Sequence, residues 1–348
     1  MTLAELGWDA FFADAFEPHN QDGLVPARVV ARHHGPCELV AETGPRGGLP
    51  AGRLGDDGLP AVGDWVAARP LAGERKALIE AVLPRRTAFT RKEAWRRTAE
   101  QVVAANVDVV FVVSAYGRDL NPRRIERYLT ATWESGATPV IVMNKSDTSA
   151  DPAAEALPIE EVALGVPVLP VSAVTGNGLD RLEAHLGSGR TGALLGSSGV
   201  GKSTLVNRLA GREVMDTGGI RLDDERGRHT TTHRELVVLG EGRGLLLDTP
   251  GMRELQLWAD EESLDTTFGE IAELAAECRF ADCAHRSEPG CAVTAALADG
   301  TLPADRWESY GKLQRELRAL AVRQDARLQA EQRRERRRFE RSRRKAAW

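Results

Sequence analysis

The stretch Gly196-Ser-Ser-Gly-Val-Gly-Lys-Ser203 decides the fold, because it matches the phosphate-binding pattern G-x-x-x-x-G-K-[ST]. An apolar run, Gly192–Leu195, precedes it, and a helical pattern, Lys202–Ala210, follows it. In this order the glycines let backbone N–H groups turn toward phosphates, and the helix N-terminus adds a favourable dipole. We predict that Lys202 reaches the β- and γ-phosphates and that Ser203 coordinates Mg²⁺. The flanking strand and helix disfavour the alternative, a Gly/Ser turn with an exposed lysine.

Strand and helix patterns alternate on both sides of this loop, from about residue 100 to residue 270. Continuous apolar strands of this kind are typical of a parallel sheet covered by helices on both faces. The predicted strands are Val107–Ser114, Pro139–Met143, Val166–Val171, Gly192–Leu195, Glu235–Leu239 and Leu245–Leu247, and the predicted helices include Pro122–Ser135, Leu179–Leu186 and Lys202–Ala210. The sequence therefore predicts a multidomain α/β protein.

A second nucleotide motif, Asp248-Thr-Pro-Gly251, follows the apolar run Leu245–Leu247. A carboxylate that ends a buried strand beside a phosphate loop commonly holds Mg²⁺, so we predict this role for Asp248, through a water molecule. We predict that the Gly251 amide contacts the γ-phosphate. A Pro-Gly turn also ends strands for structural reasons alone, and only the phosphate loop favours the functional interpretation.

The base is indicated by Asn144-Lys-Ser-Asp147, which follows the predicted strand Pro139–Met143. A carboxylate at Asp147 can accept hydrogen bonds from N1–H and the exocyclic amine of guanine, and adenine lacks this pair of donors. A site built around such bonds can reject the analogue by about 10⁴-fold. A backbone amide of Val171-Ser-Ala173 can contact the guanine oxygen. Each motif is weak alone, but together with the phosphate loop they predict a site for GTP rather than ATP.

The order of these motifs is unusual, because Asn144 precedes Gly196 by 52 residues. In ordinary GTPases the phosphate loop comes first. A site of this kind needs loops gathered at the carboxyl edge of one sheet, whatever their chain order, and domain termini often lie close enough to be joined. We therefore predict a circularly permuted P-loop GTPase domain, in which residues 248–251 lead directly into a C-terminal module.

The group that would activate water lies between these motifs. Met252 occupies the position at which Ras-like enzymes place a water-orienting glutamine, and a thioether cannot replace it. The segment Gly227-Arg-His-Thr-Thr-Thr232 is the candidate first switch, with Thr231 predicted to close on Mg²⁺ and Thr230 and Thr232 left open. His229 could orient or activate water. On the residues alone, a loop histidine without a catalytic role is the favoured alternative.

A possible metal site follows in Cys278-x₄-Cys283-x-His285-x₅-Cys291. Three thiolates and one imidazole suit tetrahedral Zn²⁺, and four protein ligands leave no open position for chemistry. We predict one structural zinc ion, with buried free cysteines as the alternative. Cys37 stands apart and is predicted to be an ordinary thiol.

The chain termini and the region before the sheet have their own character. Residues 22–85 hold four short apolar stretches punctuated by Gly and Pro, which are Val25–Ala31, Glu38–Ala41, Asp64–Ala68 and Ala77–Leu83. They predict a small β module, for which a five-stranded barrel of the oligonucleotide-binding (OB) type is one solution. The segment from Arg323 to Trp348 carries eleven Arg or Lys and four Asp or Glu, so the rest of this chain of net charge −5 carries −12. A basic tail on an acidic body suggests a polyanionic partner, with a solvated helix as the alternative.

With these residues in hand, the chain resembles the ribosome-small-subunit-dependent GTPase A (RsgA) family over about residues 22–300. The resemblance rests on Gly63-Asp-Trp-Val66, Leu83-Pro-Arg85, Gln101 with Ala104-Ala-Asn-Val-Asp108, the permuted nucleotide motifs, Gly227–Thr232, and Cys278 to Cys291 with Glu288-Pro-Gly-Cys291. It implies an OB-type barrel, a permuted GTPase domain and a zinc module. It also implies late maturation of the small (30S) ribosomal subunit, binding to 16S rRNA, and hydrolysis stimulated by that subunit. The family's proposed catalytic histidine falls on His229.

Taken together, these patterns predict an N-terminal extension (1–21), an OB-like barrel (22–85), a permuted GTPase domain (86–270), a helical zinc-binding domain (271–322) and a basic helical tail (323–348). The predicted GTP-binding residues are Asn144, Lys145, Ser146, Asp147, Ser172, Ala173, Gly196, Ser197, Ser198, Gly199, Val200, Gly201, Lys202, Ser203 and Thr204. With no long apolar run and no basic N-terminal region, we expect a cytoplasmic protein without a membrane anchor. We also expect a monomer. The alternatives are a permuted GTPase of another process and a nucleic-acid-binding module without turnover.

Overall fold

The structure, a computed structural model, describes residues 1–20, 23–32, 36–54, 58–92, 100–117, 119–214, 234–240, 242–248, 261–280, 282–286 and 288–324. The chain divides into two compact units, residues 1–92 with 100–256 and residues 93–99 with 257–348. The first unit contains a barrel and a mostly parallel sheet, and the second is helical. Among the described helices, none is long and apolar enough to cross a membrane.

The barrel is closed by five strands. They are β1 (Val25–Arg32), β2 (Cys37–Ala41), β3 (Gly44–Pro50), β4 (Trp65–Pro70) and β5 (Lys76–Val82). Strand β1 pairs antiparallel with both β2 and β4. Strand β2 pairs antiparallel with β3, and β4 pairs antiparallel with β5. The parallel pairing of β5 with β3 completes the ring. Alternate residues of the strands, including Val29, Leu39 and Ile79, fill the interior. Such closure leaves no free edge around the barrel.

Strand β3 was not among the predicted strands, because its sequence, GPRGGLP, is poor in residues that favour strands. The structure gives a packing reason for one of its glycines. A Cβ atom on Gly48 would lie 2.8 Å from Cγ of Leu39 and 3.0 Å from Cδ1 of Ile79. The barrel interior therefore has no room for a side chain at this position, and pairing with β2 and β5 supplies the hydrogen bonds that hold the strand.

A hairpin of β6 (Ala88–Lys92) and β7 (Glu100–Ala105) links the barrel to the mostly parallel sheet. The sheet contains β8 (Val109–Ala115), β9 (Thr138–Asn144), β10 (Val168–Pro170), β11 (Thr191–Leu195), β12 (Arg234–Val238) and β13 (Leu245–Asp248). Their spatial order is β10-β9-β8-β11-β13-β12. All the neighbouring pairs are parallel except β12 with β13.

The prediction of a parallel sheet is confirmed for the other five strands and wrong for β12, the predicted strand Glu235–Leu239. The physical reason is the short connection to β13. Leu239 donates to Gly244 O (3.1 Å), and Arg243 donates to Gly240 O (3.0 Å), which closes a tight turn. A parallel neighbour would need a crossover of a dozen or more residues, and this turn is too short to provide one.

Helices cover both faces of the sheet. The α-helices in the described part of the first unit are α1 (Ala10–Phe16), α2 (Pro122–Glu134), α3 (Pro152–Glu160), α4 (Leu179–Glu183) and α5 (Lys202–Ala210). Alternate residues of β8 point into two different apolar clusters, Val110 and Val112 into one and Phe111 and Val113 into the other. This is the pattern of a strand buried on both sides.

The N-terminal residues are packed against the barrel. Leu6, Phe12 and Phe16 are buried, and the ring of Trp8 lies 4.8 Å from that of Trp65 in β4. Strand β1 also pairs with β12, with Ala31 opposite Glu235, so that the barrel and the other sheet share backbone hydrogen bonds. The predicted extension and barrel thus lie in one compact unit with most of the predicted GTPase domain, whereas residues 93–99 and 257–270 of that predicted domain belong to the second unit.

The described part of the second unit contains four helices, which are α6 (Glu261–Thr267), α7 (Gly269–Ala276), α8 (Ala292–Asp299) and α9 (Ala304–Gln324). Its core includes Leu264, Phe268, Ile271 and Val293. The sequence predicts a helix over Pro303–Lys345; α9 covers its first half, and residues 325–348, most of the basic tail, lie outside the described residues.

Candidate functional site

Five parallel strands, β8, β9, β10, β11 and β13, end at the same edge of the sheet, and predicted nucleotide motifs lie at the ends of four of them. The phosphate loop follows β11, the segment 144–147 begins at the end of β9, and 171–173 follow β10. Helix α5 begins at Lys202, so its N-terminus lies directly behind the loop. Backbone N–H groups at such a helix end attract anions. The edge therefore has the polarity that a phosphate group requires.

Two glycines allow the phosphate loop to pack this closely. Gly201 has φ +94°, and a Cβ atom there would lie 2.4 Å from Nδ2 of Asn144. A Cβ atom on Gly196 would lie 2.2 Å from the carbonyl oxygen of Val113 in β8. Any side chain at either position would push the loop away from its neighbours.

Asn144 joins three loops. Its side chain is buried, with 1% exposed. Its Nδ2 donates to Val200 O in the phosphate loop (2.8 Å), and its Oδ1 accepts from the Ala173 amide (3.1 Å). Both ends of the amide are used, so replacing Asn144 would leave buried groups unpaired at a cost of about 1–3 kcal/mol each.

Two lysines also reach the phosphate loop. Lys145, at φ +64°, donates from Nζ to Gly199 O (2.7 Å). Lys202 donates from Nζ to Gly196 O (2.8 Å) and Ser197 O (2.5 Å). The ammonium of Lys202 is thus hydrogen-bonded to the carbonyl groups of its own loop, at the place where the sequence predicts phosphates.

Asp147 is exposed and accepts a hydrogen bond from the buried hydroxyl of Ser172. The same hydroxyl accepts from the Thr175 amide (3.1 Å). The Ser146 amide donates to Val171 O (3.1 Å). Ser172 was predicted only through its backbone, and the structure adds that its side chain orients the Asp147 carboxylate.

Arg208 is a residue that the sequence patterns missed. It lies on α5 and donates from Nε to Ala173 O (2.9 Å) and from Nη2 to Val174 O (2.5 Å). It therefore connects the helix behind the phosphate loop to the segment 172–174. No motif marks an arginine at this point of the helix, because its acceptors come from a strand end in another part of the chain.

The remaining predicted residues are placed only in part. Ser203 and Thr204 are half-buried in the first turn of α5, and Ser198 is exposed. Asp248 ends β13, which runs parallel to β11 with Leu247 opposite Ala193, so its backbone lies at the same edge. His229, Thr231 and the other residues of 227–232 lie outside the described residues, as do Gly251 and Met252.

In the second unit, the ligand atoms of Cys278, Cys283, His285 and Cys291 all lie within 4.8 Å of one another. Nδ1 of His285 is 3.5 Å from Sγ of Cys278 and from Sγ of Cys291, and these two sulfur atoms are 3.9 Å apart. Tetrahedral zinc with the usual bond lengths would separate two sulfurs by about 3.8 Å and a sulfur from a nitrogen by about 3.6 Å. The donor atoms therefore fit a tetrahedral metal ion.

The surroundings of this cluster hold its ligands in place. His285 has φ +54°, and Glu288 accepts from the amides of Ala284 (3.2 Å) and Arg286 (2.8 Å) on either side of it. Burial opposes ionisation of Cys291, but hydrogen bonds from Thr294 and His285 outweigh it and bring the pKa of the thiol to about 6. A thiolate at neutral pH is the form that binds a metal.

The RsgA GTPase family model matches residues 82–258. Two curated relatives bear the name small ribosomal subunit biogenesis GTPase RsgA. The one from Opitutus terrae is 51% identical, over 93% of this chain and 92% of its own length. The one from Streptomyces coelicolor is 48% identical, over 96% of this chain and 91% of its own length.

Two solved structures are similar in fold. YjeQ from Thermotoga maritima superposes with a TM-score of 0.65 at 29% identity, over 84% of this chain and 98% of its own. YloQ, described as a circularly permuted GTPase, superposes with a TM-score of 0.61 at 22% identity, over 86% of this chain and 97% of its own. The motif order and sheet order described above agree with that description.

Proposed function

This chain belongs to the RsgA GTPase family, and from that premise we propose that it matures the small ribosomal subunit by binding it and hydrolysing GTP at the carboxyl edge of the sheet. It is a GTP-hydrolysing enzyme, as the family is. The observation that carries the site is the bonding of Asn144 to the phosphate loop and to Ala173. It brings the base and phosphate motifs together in spite of their permuted order.

We assign binding of the phosphates to residues 196–204 and recognition of guanine to Asp147, with Ser172 and Ala173 beside the guanine base. In the structure their amides donate to Asn177 O (2.9 Å) and to Oδ1 of Asn144 (3.1 Å). Ser172 supports this assignment, because its hydroxyl orients the Asp147 carboxylate. Lys202 would exchange the carbonyl groups that it now contacts for phosphate oxygens. An ammonium gains more from a charged acceptor than from a neutral one.

Mg²⁺ would be held by Ser203, Asp248 and Thr231, and would neutralise charge on the phosphates. We propose that His229 orients the attacking water, since Met252 stands where a glutamine would otherwise do so. Gly251 would sense the γ-phosphate through its amide. These last assignments rest on the sequence motifs and on the family.

We propose that 16S rRNA within the 30S subunit is the partner, and that the barrel and the basic tail contact it. Closed barrels of this type often bind single-stranded nucleic acids. Zn²⁺ at the Cys/His cluster would fold the second unit and take no part in chemistry. Because its partner matures in the cytoplasm, we place the protein there. That it acts as a monomer stays a prediction.

The test is GTP hydrolysis by the purified protein with and without purified small ribosomal subunits. We expect slow turnover alone and strong stimulation by the subunits, which His229→Ala loses. His233→Ala is the matched control and should keep the stimulation. Stimulation that survives His229→Ala would remove the proposed role of the histidine. Tight GTP binding without stimulation would show that the partner is not the small subunit.

A further inference from the structure

A polar bridge connects helix α2 to the first half of the phosphate loop. Arg124, in the first turn of α2, donates from Nη1 to Oδ1 of Asp119 (2.6 Å) and to the hydroxyl of Ser197. Asp119 accepts in turn from the hydroxyl of Ser114, near the end of β8 (3.4 Å). The bridge therefore runs from the end of β8 through α2 to the phosphate loop.

The backbone of Arg124 is itself fixed. Asn121 caps α2 by accepting from the Arg124 amide (3.1 Å), and Pro122 begins the helix. Proline at the first position and asparagine at the cap are both favourable at a helix start. The side chains of Arg124 and Asp119 are 34% and 26% exposed. The guanidinium is thus partly shielded from water and held at a defined place beside the loop.

The contact from Arg124 differs from that of Lys202 in what happens when phosphate arrives. Lys202 is bonded to the carbonyl groups of Gly196 and Ser197. If its ammonium turns to the phosphates, those two carbonyl groups lose the hydrogen bonds from Lys202. Arg124 bonds the side chain of Ser197 and not a backbone group, so its contact can persist while Lys202 moves.

We infer that Arg124 is a positioning residue for nucleotide binding, which holds the first half of the phosphate loop while Lys202 exchanges its acceptors. This inference rests on the proposed function, because it assumes that GDP and GTP bind at this loop. A loop held in its binding conformation loses less entropy when the ligand binds. The ligand class is a guanine nucleotide with at least two phosphates, since Lys202 is expected to reach the β- and γ-phosphates.

The experiment is a double-mutant cycle of Arg124→Ala and Ser197→Ala, read by the affinity and dissociation rate of a fluorescent GDP analogue in the full chain. Arg124→Ala should lower the affinity about tenfold, because it removes a hydrogen bond from a charged group. The double variant should bind the GDP analogue no more weakly than the weaker-binding single variant, because the two changes remove the same contact. Arg124→Lys keeps a donor and should recover part of the loss.

The outcomes separate the two proposals. If the wild-type protein does not bind the GDP analogue, the proposed function fails. If it binds and Arg124→Ala binds equally well, or if the two single losses simply add, the inference is overturned. A fall in the thermal midpoint of the nucleotide-free protein without loss of affinity would also overturn it, since that would show a role in folding alone.

Discussion

The two ends of the parallel sheet are held together in different ways. At the carboxyl end, Asn144 is buried, but the charged side chains of Asp147 and Lys202 are exposed or half-buried, and the ammonium of Lys202 is bonded to carbonyl groups that a phosphate can replace. At the amino end, the guanidinium of Arg28 in β1 is buried, with 1% exposed. It donates to the carbonyl oxygens of Leu6, Gly63 (3.3 Å) and Asn106 (3.2 Å) and to the hydroxyl of Thr191 (2.9 Å).

This buried arginine joins the N-terminal segment, the barrel and the sheet at one point. Burial lowers its pKa to about 10, and the nearby carboxylates of Asp108 and Asp64 oppose the shift. A pKa of about 10 still leaves the group charged at neutral pH. The difference between the ends shows a division of roles: the amino end is a closed joint, and the carboxyl end keeps contacts that a ligand can exchange.

The Cys/His cluster of the second unit extends this comparison, because a metal ion would hold its side chains together in place of direct hydrogen bonds. Structural zinc sites have apparent binding energies of about 10–16 kcal/mol. We expect a strong chelator to abolish the helical signal of the second unit, and added zinc to restore it. Circular dichroism with metal analysis measures this. Helices that persist in metal-free protein would contradict the zinc assignment, and the first unit should keep its GDP affinity throughout.

At the carboxyl end, Asp147→Asn should weaken GTP binding by about 10³–10⁴-fold, because the guanine donors lose a charged acceptor. Xanthosine triphosphate presents an acceptor where guanine has its amine, and its affinity should rise. Competition binding with both nucleotides measures the exchange of preference. An unchanged preference for GTP would show that Asp147 does not recognise guanine. The urea midpoint should stay constant, since this side chain is exposed.

At the amino end, Arg28→Ala should lower the free energy of unfolding by about 3–5 kcal/mol, because it leaves buried acceptors unpaired. Urea denaturation measures this. Arg32→Ala is the matched control on the same strand; it removes a bond to Pro60 O (3.1 Å) from a half-buried side chain and should cost about 1 kcal/mol. The GDP affinity of the folded fraction should not change in either variant. A large loss of GDP affinity in Arg28→Ala would contradict the conclusion that the amino end of the sheet has no role in nucleotide binding.

A smaller effect tests the packing of the phosphate loop. Gly201→Ala must adopt φ +94° and also displace Nδ2 of Asn144, whereas Gly211→Ala adopts φ +65° with nothing within 4 Å of its Cβ. The control should cost about 1 kcal/mol for the backbone alone. Gly201→Ala should cost about 1–3 kcal/mol more, and should weaken GDP binding. Equal losses of stability in the two variants would show that the close contact with Asn144 adds nothing to the cost of Gly201→Ala.

The smallest effect concerns the pH dependence at the amino end. Hydrogen bonding to Arg86 lowers the pKa of Asp9 below its usual 3.8. The ion pair therefore adds stability above pH 3.8, and this is lost as pH falls through the lower folded value. Asp9→Asn keeps the cap on α1 and should remove under about 1 kcal/mol at neutral pH, because the pair is partly exposed. In urea titrations, the difference in stability between the wild type and Asp9→Asn should be smaller at pH 3 than at pH 7.

The matched control is Asp14→Asn, which replaces an exposed aspartate on the same helix. The change in stability between pH 7 and pH 3 should be the same in this variant as in the wild type. If Asp9→Asn and the wild type differ more at pH 3 than at pH 7, the sign of the linkage is wrong.

The sequence was most informative where function constrains neighbouring residues. Helix α5 has the predicted bounds Lys202–Ala210, and β1, β2, β4 and β5 lie within about two residues of the predicted apolar stretches. Strand β3 was missed because it is poor in residues that favour strands, and one of its glycines, Gly48, is required by the side chains of Leu39 and Ile79 from other strands. The direction of β12 depends on a turn length that apolar patterns do not report.

Contacts between distant parts of the chain were beyond the motifs. Arg28 is an isolated charge in an apolar strand, and its acceptors come from 22 to 163 residues away. Arg124 reaches Ser197 across 73 residues. Neither has a fixed spacing to its partner, so no local pattern could reveal it. The residues that form such contacts became visible only once the strands were placed side by side.

The most direct test of this division is hydrogen exchange in the full chain with and without GDP and Mg²⁺. Amides of 196–204 should exchange at least about tenfold more slowly when GDP is bound, since exchange reports local opening. The amide of Asp108, which donates to Thr191 O (2.8 Å) at the amino end, should be unaffected. Equal protection at both ends, or no protection of 196–204, would contradict the division between a closed joint and an exchangeable nucleotide site.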